Sequence, residues 1–396
     1  MPDYVGGNRL TLLKNGEQYF PALAGAVDAA RAEVFLETYI FADDQTGSLI
    51  ADALARAAAR GVLTHLLIDG FGARDFASRF RELLQAAGAE LRVFRPQVSP
   101  WPLWKQRGRL RRMHRKVASI DGLVAFVGGI NVIDDYDTPG QVPPRYDYAV
   151  RVEGPLAARV RAETARLWTR VSWASLGRRW PGFEKLAGRA SRHALPPEGP
   201  QRGGQRAALV LRDSLRHRRD IELAYLELIG AARDEIIIAS AYFFPGRKFR
   251  RALEDAARRG VRVTLLLQGK VEYALQFYAA RALYGVLLAA GVRIKEYQRS
   301  FLHAKVAVFD GRVASVGSSN IDPLSLLLAR EANLFVDDAG FAEELRASLE
   351  QAMETGSQPL ARRQWKLRPL PERARIWMAY GIARLLMSFY GFERYH

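Results

Sequence analysis

The chain has 396 residues, 49% of them apolar, and a formal charge of +17. That length accommodates two packed domains or two fused halves, and that charge suits a polyanionic partner, either nucleic acid or an anionic lipid surface. There is no cysteine, which excludes disulfides, thiol catalysis and zinc–thiolate sites.

The opening stretch, MPDYVGGNRLTLLKNGEQYF, lacks the basic-then-apolar pattern of a signal peptide. No uncharged apolar run reaches the ~20 residues of a membrane span, so the expectation is a protein that is soluble or lies on a surface. VFLETYIF (34–41) and THLLIDG (64–70) are apolar on both faces and read as buried strands. Between them Leu49, Ala53, Leu54 and Ala57 recur at helical spacing. This strand–helix–strand alternation implies an α/β fold with a mostly parallel or mixed sheet flanked by helices.

WPLWKQRGRLRRMHRK (101–116) sets Trp101 and Trp104 among Lys105, Arg107, Arg109, Arg111 and Arg112. It reads as a lipid-interface segment; a solvated basic loop and a nucleic-acid groove are the competing readings. It runs straight into HRKVASIDGLVAFVGGIN (114–131). PPEGPQRGGQR (196–206) then marks a linker.

Beyond the linker the chain repeats itself. ARDEIIIASAYFF (232–244) echoes ARAEVFLETYIF (30–41), RALEDAARRGVRVTLLLQG (251–269) echoes 51–70, and AGVRIKEYQ (290–298) echoes 87–96. HAKVAVFDGRVASVGSSN (303–320) then matches 114–131. The expected division is a first half over 1–190, a linker over 191–207, a second half over 208–358 and a tail over 359–396.

The two matched segments carry the chemistry. His114, Lys116, Asp121, Gly128 and Asn131 recur at identical spacing as His303, Lys305, Asp310, Gly317 and Asn320. Alternate residues of a strand share a face, so each histidine points the same way as its lysine. Asp121-Gly122 and Asp310-Gly311 read as two-residue hairpin turns. Such turns pair 114 with about 129, and 303 with about 318, and bring Asn131 beside His114 and Asn320 beside His303. An imidazole can attack when neutral and donate a proton when charged. Two lysines and two amides match the charge on a pentacoordinate phosphorus. The small residues Gly128, Gly129, Gly317, Ser318 and Ser319 are expected to let a phosphate approach the backbone, with Ser318 among its ligands. Asp121 and Asp310 belong to the expected catalytic set, although turn formation explains them equally well. One His-x-Lys is a weak signal; a matched pair is specific. The histidines lack metal-ligand spacing, so no metal and no cofactor are expected.

These segments resemble the paired His-x-Lys-x4-Asp motifs of the phospholipase D superfamily. LETYIF, YFFP and GSSNIDPLS are similar to its bacterial cardiolipin synthase branch, in a short form without N-terminal transmembrane helices. The resemblance implies two fused phospholipase D-like halves with the active site at their pseudo-twofold interface. It implies His114 as the nucleophile, forming a phosphohistidine, and His303 as the group that protonates the leaving alcohol and deprotonates the acceptor. Lys116, Lys305, Asn131 and Asn320 would hold the phosphate. A carboxylate from the opposite half would buttress each histidine, Glu331 behind His114 and Asp147 behind His303. The flanks depart from the family pattern, reading Arg145-Tyr146-Asp147 and Ala329-Arg330-Glu331.

The tail, from Arg368 onward, starts a helix near Pro371. Ile376, Trp377, Tyr380, Ala383, Leu386 and Met387 fall near one face, interrupted by Arg373, Arg375 and Arg384. It reads either as an in-plane interfacial helix or as a helix packed on the body. The expected function is phosphatidyl transfer from phosphatidylglycerol, or a related donor, to a second phosphatidylglycerol. The alternatives are a phospholipase D-type hydrolase, a nuclease, and a surface-binding protein with a dead site. The expected partners are phospholipid substrates and an anionic phospholipid membrane, with the protein peripheral on the cytoplasmic membrane of a bacterium. Neither nucleic acid nor an obligate protein partner is expected.

Overall fold

The computed structural model describes residues 2–95, 112–138, 140–176, 199–212, 217–322 and 329–389. In the first half β1 (Val5–Lys14) leads into α1 (Asn15–Asp28). There follow β2 (Glu33–Thr38), α2 (Gln45–Ala59), β3 (Leu63–Asp69), α3 (Ser78–Ala86) and β4 (Glu90–Phe94). The motif hairpin, β5 (Lys116–Ile120) and β6 (Val124–Gly128), comes next, then β7 (Tyr148–Glu153) and α4 (Pro155–Leu176).

The second half repeats this order. β8 (Gln205–Arg212), α5 (Asp220–Ala231), β9 (Glu235–Ser240), α6 (Arg247–Arg258) and β10 (Arg262–Gln268) come first. Helices α7 (Ala274–Arg281) and α8 (Tyr284–Ala289) precede β11 (Arg293–Tyr297). The second hairpin, β12 (Lys305–Phe309) and β13 (Val313–Gly317), leads to β14 (Glu331–Asp337), α9 (Ala339–Gly356) and β15 (Ser357–Pro359). The tail forms α10 (Arg362–Lys366) and α11 (Leu370–Phe389). β8 thus takes in residues 205–207, which the sequence assigned to the linker. Segments 96–111 and 177–198, with most of the Trp- and Arg-bearing stretch and the start of the linker, lie outside the described residues.

Strand order within the first half is β1-β7-β6-β5-β2-β3-β4, and within the second β8-β14-β13-β12-β9-β10-β11, extended by β15. The two sets join where β1 pairs antiparallel with β8. Parallel pairing is confined to β2–β3–β4 and β9–β10–β11. The sheet is therefore mixed. The remaining pairs are antiparallel; among them β5–β6 and β12–β13 are hairpins, whose short turns can join only antiparallel strands. Every residue of β2 is buried, which is why its sequence shows no polar alternation. Strands β13 and β14 pack against β5–β7, and Val127, Tyr148 and Val150 share one core with Val306, Val316 and Leu334. This shared core lies between the halves, and each half keeps a further core of its own. Among the described residues no helix is long and apolar enough to cross a membrane.

The hairpins correct the expected register. Lys116 pairs with Gly128 and Ile120 with Val124, leaving three connecting residues and setting position 130, not 129, opposite His114. Lys305 opposite Gly317 shifts the second hairpin in the same way. In each, Asp and Gly both take positive φ, 54° and 64° in the first and 50° and 60° in the second. The strands resume one residue later than a two-residue turn allows.

The same turns correct the expectation that Asp121 and Asp310 take part in the chemistry. Asp121 lies roughly 23 Å along the strand from His114, at ~3.3 Å per residue. Its carboxylate accepts the backbone N–H groups of Arg31, Ala32 and Glu33 at 2.8–2.9 Å. Asp310 likewise accepts from Arg233, Asp234 and Glu235. Each clamps the start of the strand beside the hairpin, β2 in the first half and β9 in the second. Burial would raise the Asp310 carboxyl, but these donors outweigh it and hold it below the usual aspartate range. Asp310→Asn should therefore cost about 1–2 kcal/mol at pH 7. The deficit should shrink as pH falls through the depressed native value, where the parent protein also loses its charge. Denaturant melts of the two proteins at pH 7 and pH 3 check this; an equal gap at both would count against the clamp.

Candidate active site

Backbone bridges between the halves build the site. The His114 N–H donates to the Arg330 carbonyl at 2.9 Å, and the Arg330 N–H donates to Arg112 at 2.7 Å. On the other side the His303 N–H donates to the Tyr146 carbonyl at 2.8 Å, and the Tyr146 N–H donates to Phe301 at 2.9 Å. The residue after each bridge is the carboxylate. Glu331 lies against His114, with its oxygens 3.1 and 3.2 Å from Nδ1. Asp147 lies 2.6 Å from His303 Nδ1. With Nδ1–H donating to a carboxylate, the neutral ring keeps its lone pair on Nε2.

Each lysine folds back on its own motif. Lys116 Nζ donates to the His114 carbonyl at 2.7 Å, and Lys305 Nζ donates to the His303 carbonyl. Both lysines are almost wholly buried. Asn131 is buried nearby and accepts the Ile40 N–H through Oδ1 at 3.3 Å. Asn320 is buried at the matching place.

Ser318 departs from its expected role as a phosphate ligand. Its hydroxyl donates to Glu331 Oε2 at 2.5 Å and accepts the Ala332 N–H at 3.0 Å, and the residue has no exposure. It holds the carboxylate, not the substrate. The glycines also serve close packing within the protein. A Cβ on Gly317 would meet the Asn333 side chain at 2.4 Å, and one on Gly129 would meet Asp147 Oδ1 at 2.4 Å. Gly129 and Ser318 occupy equivalent positions: the shorter Asp147 crowds a glycine where the longer Glu331 meets a hydroxyl.

Burial dominates the electrostatics. It lowers His114, and against it Glu331 raises the ring while Lys116 and Lys305 push it further down. His303 falls well below the ordinary imidazole value through burial, reinforced by Lys305, Arg145, Lys116 and His114. Lys116 drops to about 7 by burial despite Glu331 and Asp147, with Lys305 adding repulsion. Lys305 is lowered likewise. Burial raises Asp147 to about 6. Glu331 goes the other way: burial would raise it, but His114, Lys116 and Ser318 together hold it low. At neutral pH the site thus holds two neutral imidazoles, two carboxylates, Lys116 near its titration point and Lys305 lowered by the same burial. Lys305 Nζ also stands 3.9 Å from Asp147, so with the two crossed histidine–carboxylate contacts the groups of both halves face one cleft.

The cleft is not symmetric, and here the sequence left residues unread. Tyr39 lies edge-on to His114 at 4.8 Å and beneath Lys116 Nζ at 5.4 Å; Ala241 holds the equivalent place after β9. Near His303 stands Arg145, 3.6 Å from Glu272, which also accepts the Tyr242 hydroxyl at 2.6 Å. Asn15, at φ 56°, holds the Asp147 backbone through two hydrogen bonds of 2.9 and 3.1 Å. In the sequence LETYIF reads as a family likeness and Arg145-Tyr146-Asp147 as a departure from the family pattern. Nothing local says that Tyr39 or Arg145 turns toward the cleft.

Paired histidines and lysines on equivalent hairpins, each ring backed by a carboxylate of the other half, define a phosphodiester-handling site of the phospholipase D kind. A family profile described as "Cardiolipin synthase, PLD-like domain" matches residues 23–168 and 225–353. Cardiolipin synthase B of Escherichia coli K12 is 42% identical over 344 residues, which cover 87% of this chain and 80% of that protein. Cardiolipin synthase A of Pseudomonas putida KT2440 is 32% identical over 354 residues, 88% of this chain and 69% of that one. The crystal structure of phosphatidylserine synthase from Haemophilus influenzae shares the fold, with TM-score 0.66 at 12% identity over 95% of this chain and 93% of the other. The chain belongs to the phospholipase D-like cardiolipin synthase family. It is an enzyme of the phosphatidyltransferase type.

Gly129→Ala tests the carboxylate's place. The new methyl must displace Asp147 from His303, and activity should fall about 10²-fold, the scale of a catalytic misplacement near 1 Å, with a cooperative melt retained. Full activity in a folded Gly129→Ala protein would show that Asp147 has room to yield.

Proposed function

We propose that the enzyme moves a phosphatidyl group from one phosphatidylglycerol, or a related donor, to the free hydroxyl of a second, releasing glycerol. The observation that carries this reading is the reciprocal bracing of two imidazoles across one cleft. The relatives named cardiolipin synthase select the lipid reaction from the other phosphodiester chemistries open to such a site.

His114 Nε2 attacks phosphorus, and the bond from phosphorus to the glycerol oxygen breaks. His303 supplies the proton that the leaving glycerol takes. Its depressed basicity in the free enzyme comes partly from Lys305, Arg145 and Lys116; an arriving phosphodiester anion offsets those cations and lets the ring take up a proton. In the second step the acceptor hydroxyl gives its proton to His303 and attacks phosphorus, and the phosphorus–His114 bond breaks. Lys116, Lys305, Asn131 and Asn320 hold the phosphoryl oxygens, with Glu331 and Asp147 fixing each ring. The protein works peripherally on an anionic phospholipid surface.

His114→Ala should lower transfer by on the order of 10⁴-fold or more, and glycerol release and cardiolipin formation should vanish together. Wild-type protein that converts phosphatidylglycerol only to phosphatidic acid would replace the transfer reading with hydrolysis.

The acid–base profile follows from the burial. kcat/KM reports the free enzyme, and short-chain phosphatidylglycerol below its micellar threshold keeps interfacial effects out. The acid limb should fall below the ordinary imidazole value of ~6.5, because protonating a depressed histidine needs more acid. The alkaline limb should begin near pH 7 as Lys116 loses its charge, while kcat holds to higher pH because bound phosphate keeps the lysine protonated. A kcat/KM that is level from pH 7 to 9 would remove Lys116 from phosphate binding.

A further inference from the structure

Helix α11 is apolar on two opposite faces. Its inner face buries Ile376 and Ala379, and Tyr380 packs on the Phe244 ring at 5.7 Å. The helix lies along α7. Trp377, grouped with Ile376 on one face from the sequence, points away from it instead. At ~3.6 residues per turn it joins Leu370, Met378, Ile382 and Leu385 on the opposite side. These five are 44–75% exposed. Side chains beyond Leu385 lie outside the described residues. A helix docked on a soluble body ordinarily presents polar residues outward. Here Arg373 and Arg384 line one border of the apolar stripe and Arg375 the other. Glu372 is turned toward the inner side and pairs with Arg368.

We propose that this outward stripe is the surface by which the protein lies on an anionic bilayer, its apolar side chains in the acyl boundary and its bordering arginines at the phosphates. Trp377 fits the depth at which indole rings settle between headgroup and acyl region. The arginines select lipid over a second copy of the chain, because a twofold pairing of the stripe would set its arginines against their own equivalents. An anionic leaflet neutralises them, and the formal charge of +17 favours the same approach. The surface also leads to the site. The loop before α7 carries Val271 and Tyr273 and the first turn of that helix carries Leu275, all more than a third exposed. Between them Glu272 reaches Arg145 and Tyr242 and acts on the charge of Lys305. A bilayer against α11 therefore stands beside the His303 side of the cleft. The inference rests on the phosphatidyl-transfer reading for its substrate but not for its geometry.

The test uses the full chain and vesicles of phosphatidylcholine with and without phosphatidylglycerol. Wild-type protein should cosediment with the anionic vesicles and be released by salt. Ile382→Asp combined with Leu385→Asp should weaken that partition at least tenfold, while the melting temperature and turnover of monomeric short-chain phosphatidylglycerol stay unchanged. Should the double variant melt early, Met378→Gln, a milder change in the same stripe, should still weaken binding about threefold. Undiminished vesicle binding by a folded variant overturns the surface, as does a wild-type dimer that the variant converts to monomer without loss of vesicle binding. If wild type cosediments and the variant does not, yet neither turns over the short-chain lipid, the surface stands and the transfer reading fails.

Discussion

The structure depends on two backbone bridges that cross between the halves. The His114 amide reaches Arg330, the His303 amide reaches Tyr146, and each bridge sets the register of everything after it. Because successive strand residues alternate faces, a slip of one position would turn Glu331 or Asp147 away from its histidine. Hydrogen bonds between peptide groups are thus what align side chains distant in sequence. The shared core holds those peptide groups in reach, since Val127 and Val150 pack with Val316 and Leu334 in one cluster. Packing brings the faces together, and the bridges decide which residues meet.

Desolvation then shapes the chemistry. Two ammoniums and two imidazoles in one buried cleft repel one another, and burial penalises each charged form. Two carboxylates offset part of this, Glu331 more fully than Asp147: Glu331 stays easily ionised with Ser318 donating to it, whereas Asp147 is raised to about 6. The halves repeat in fold but differ in electrostatics. The His114 side has an aromatic floor in Tyr39, and the His303 side has Arg145 and Glu272. Even deep in the first half a buried Arg115–Glu37 pair stands where the second has Ala304 and Ala239. Two different hands on one phosphorus suit a reaction in which one ring bonds to it and the other moves protons.

Much of this was legible in the residues. The repeated apolar runs gave the strands, the alternating Ala-rich stretches gave the helices, and identical spacing picked out both His–Lys pairs. What misled was local. Asp-Gly reads as a two-residue turn, yet a third connecting residue shifts both hairpins, and the aspartates spend their carboxylates on the neighbouring strand's amides. Ser318 stands among small residues of a motif, which suggested a phosphate, but its partner is a carboxylate thirteen positions later. Tyr39, Arg145 and Asn15 gave no signal because their importance comes from what the opposite element brings to them. Helical spacing grouped Trp377 with Ile376, and only the direction of the supporting helix decides which of the two turns inward.

The reciprocal arrangement also limits how the halves can age. An ancestral copy fused to itself is usually free to let one repeat decay while the other carries the work. Here each repeat supplies the brace for the other's imidazole, so neither can degenerate alone, and a damaging change near Asp147 does its harm in the segment that carries His303. Inheritance at this site works in crossed pairs.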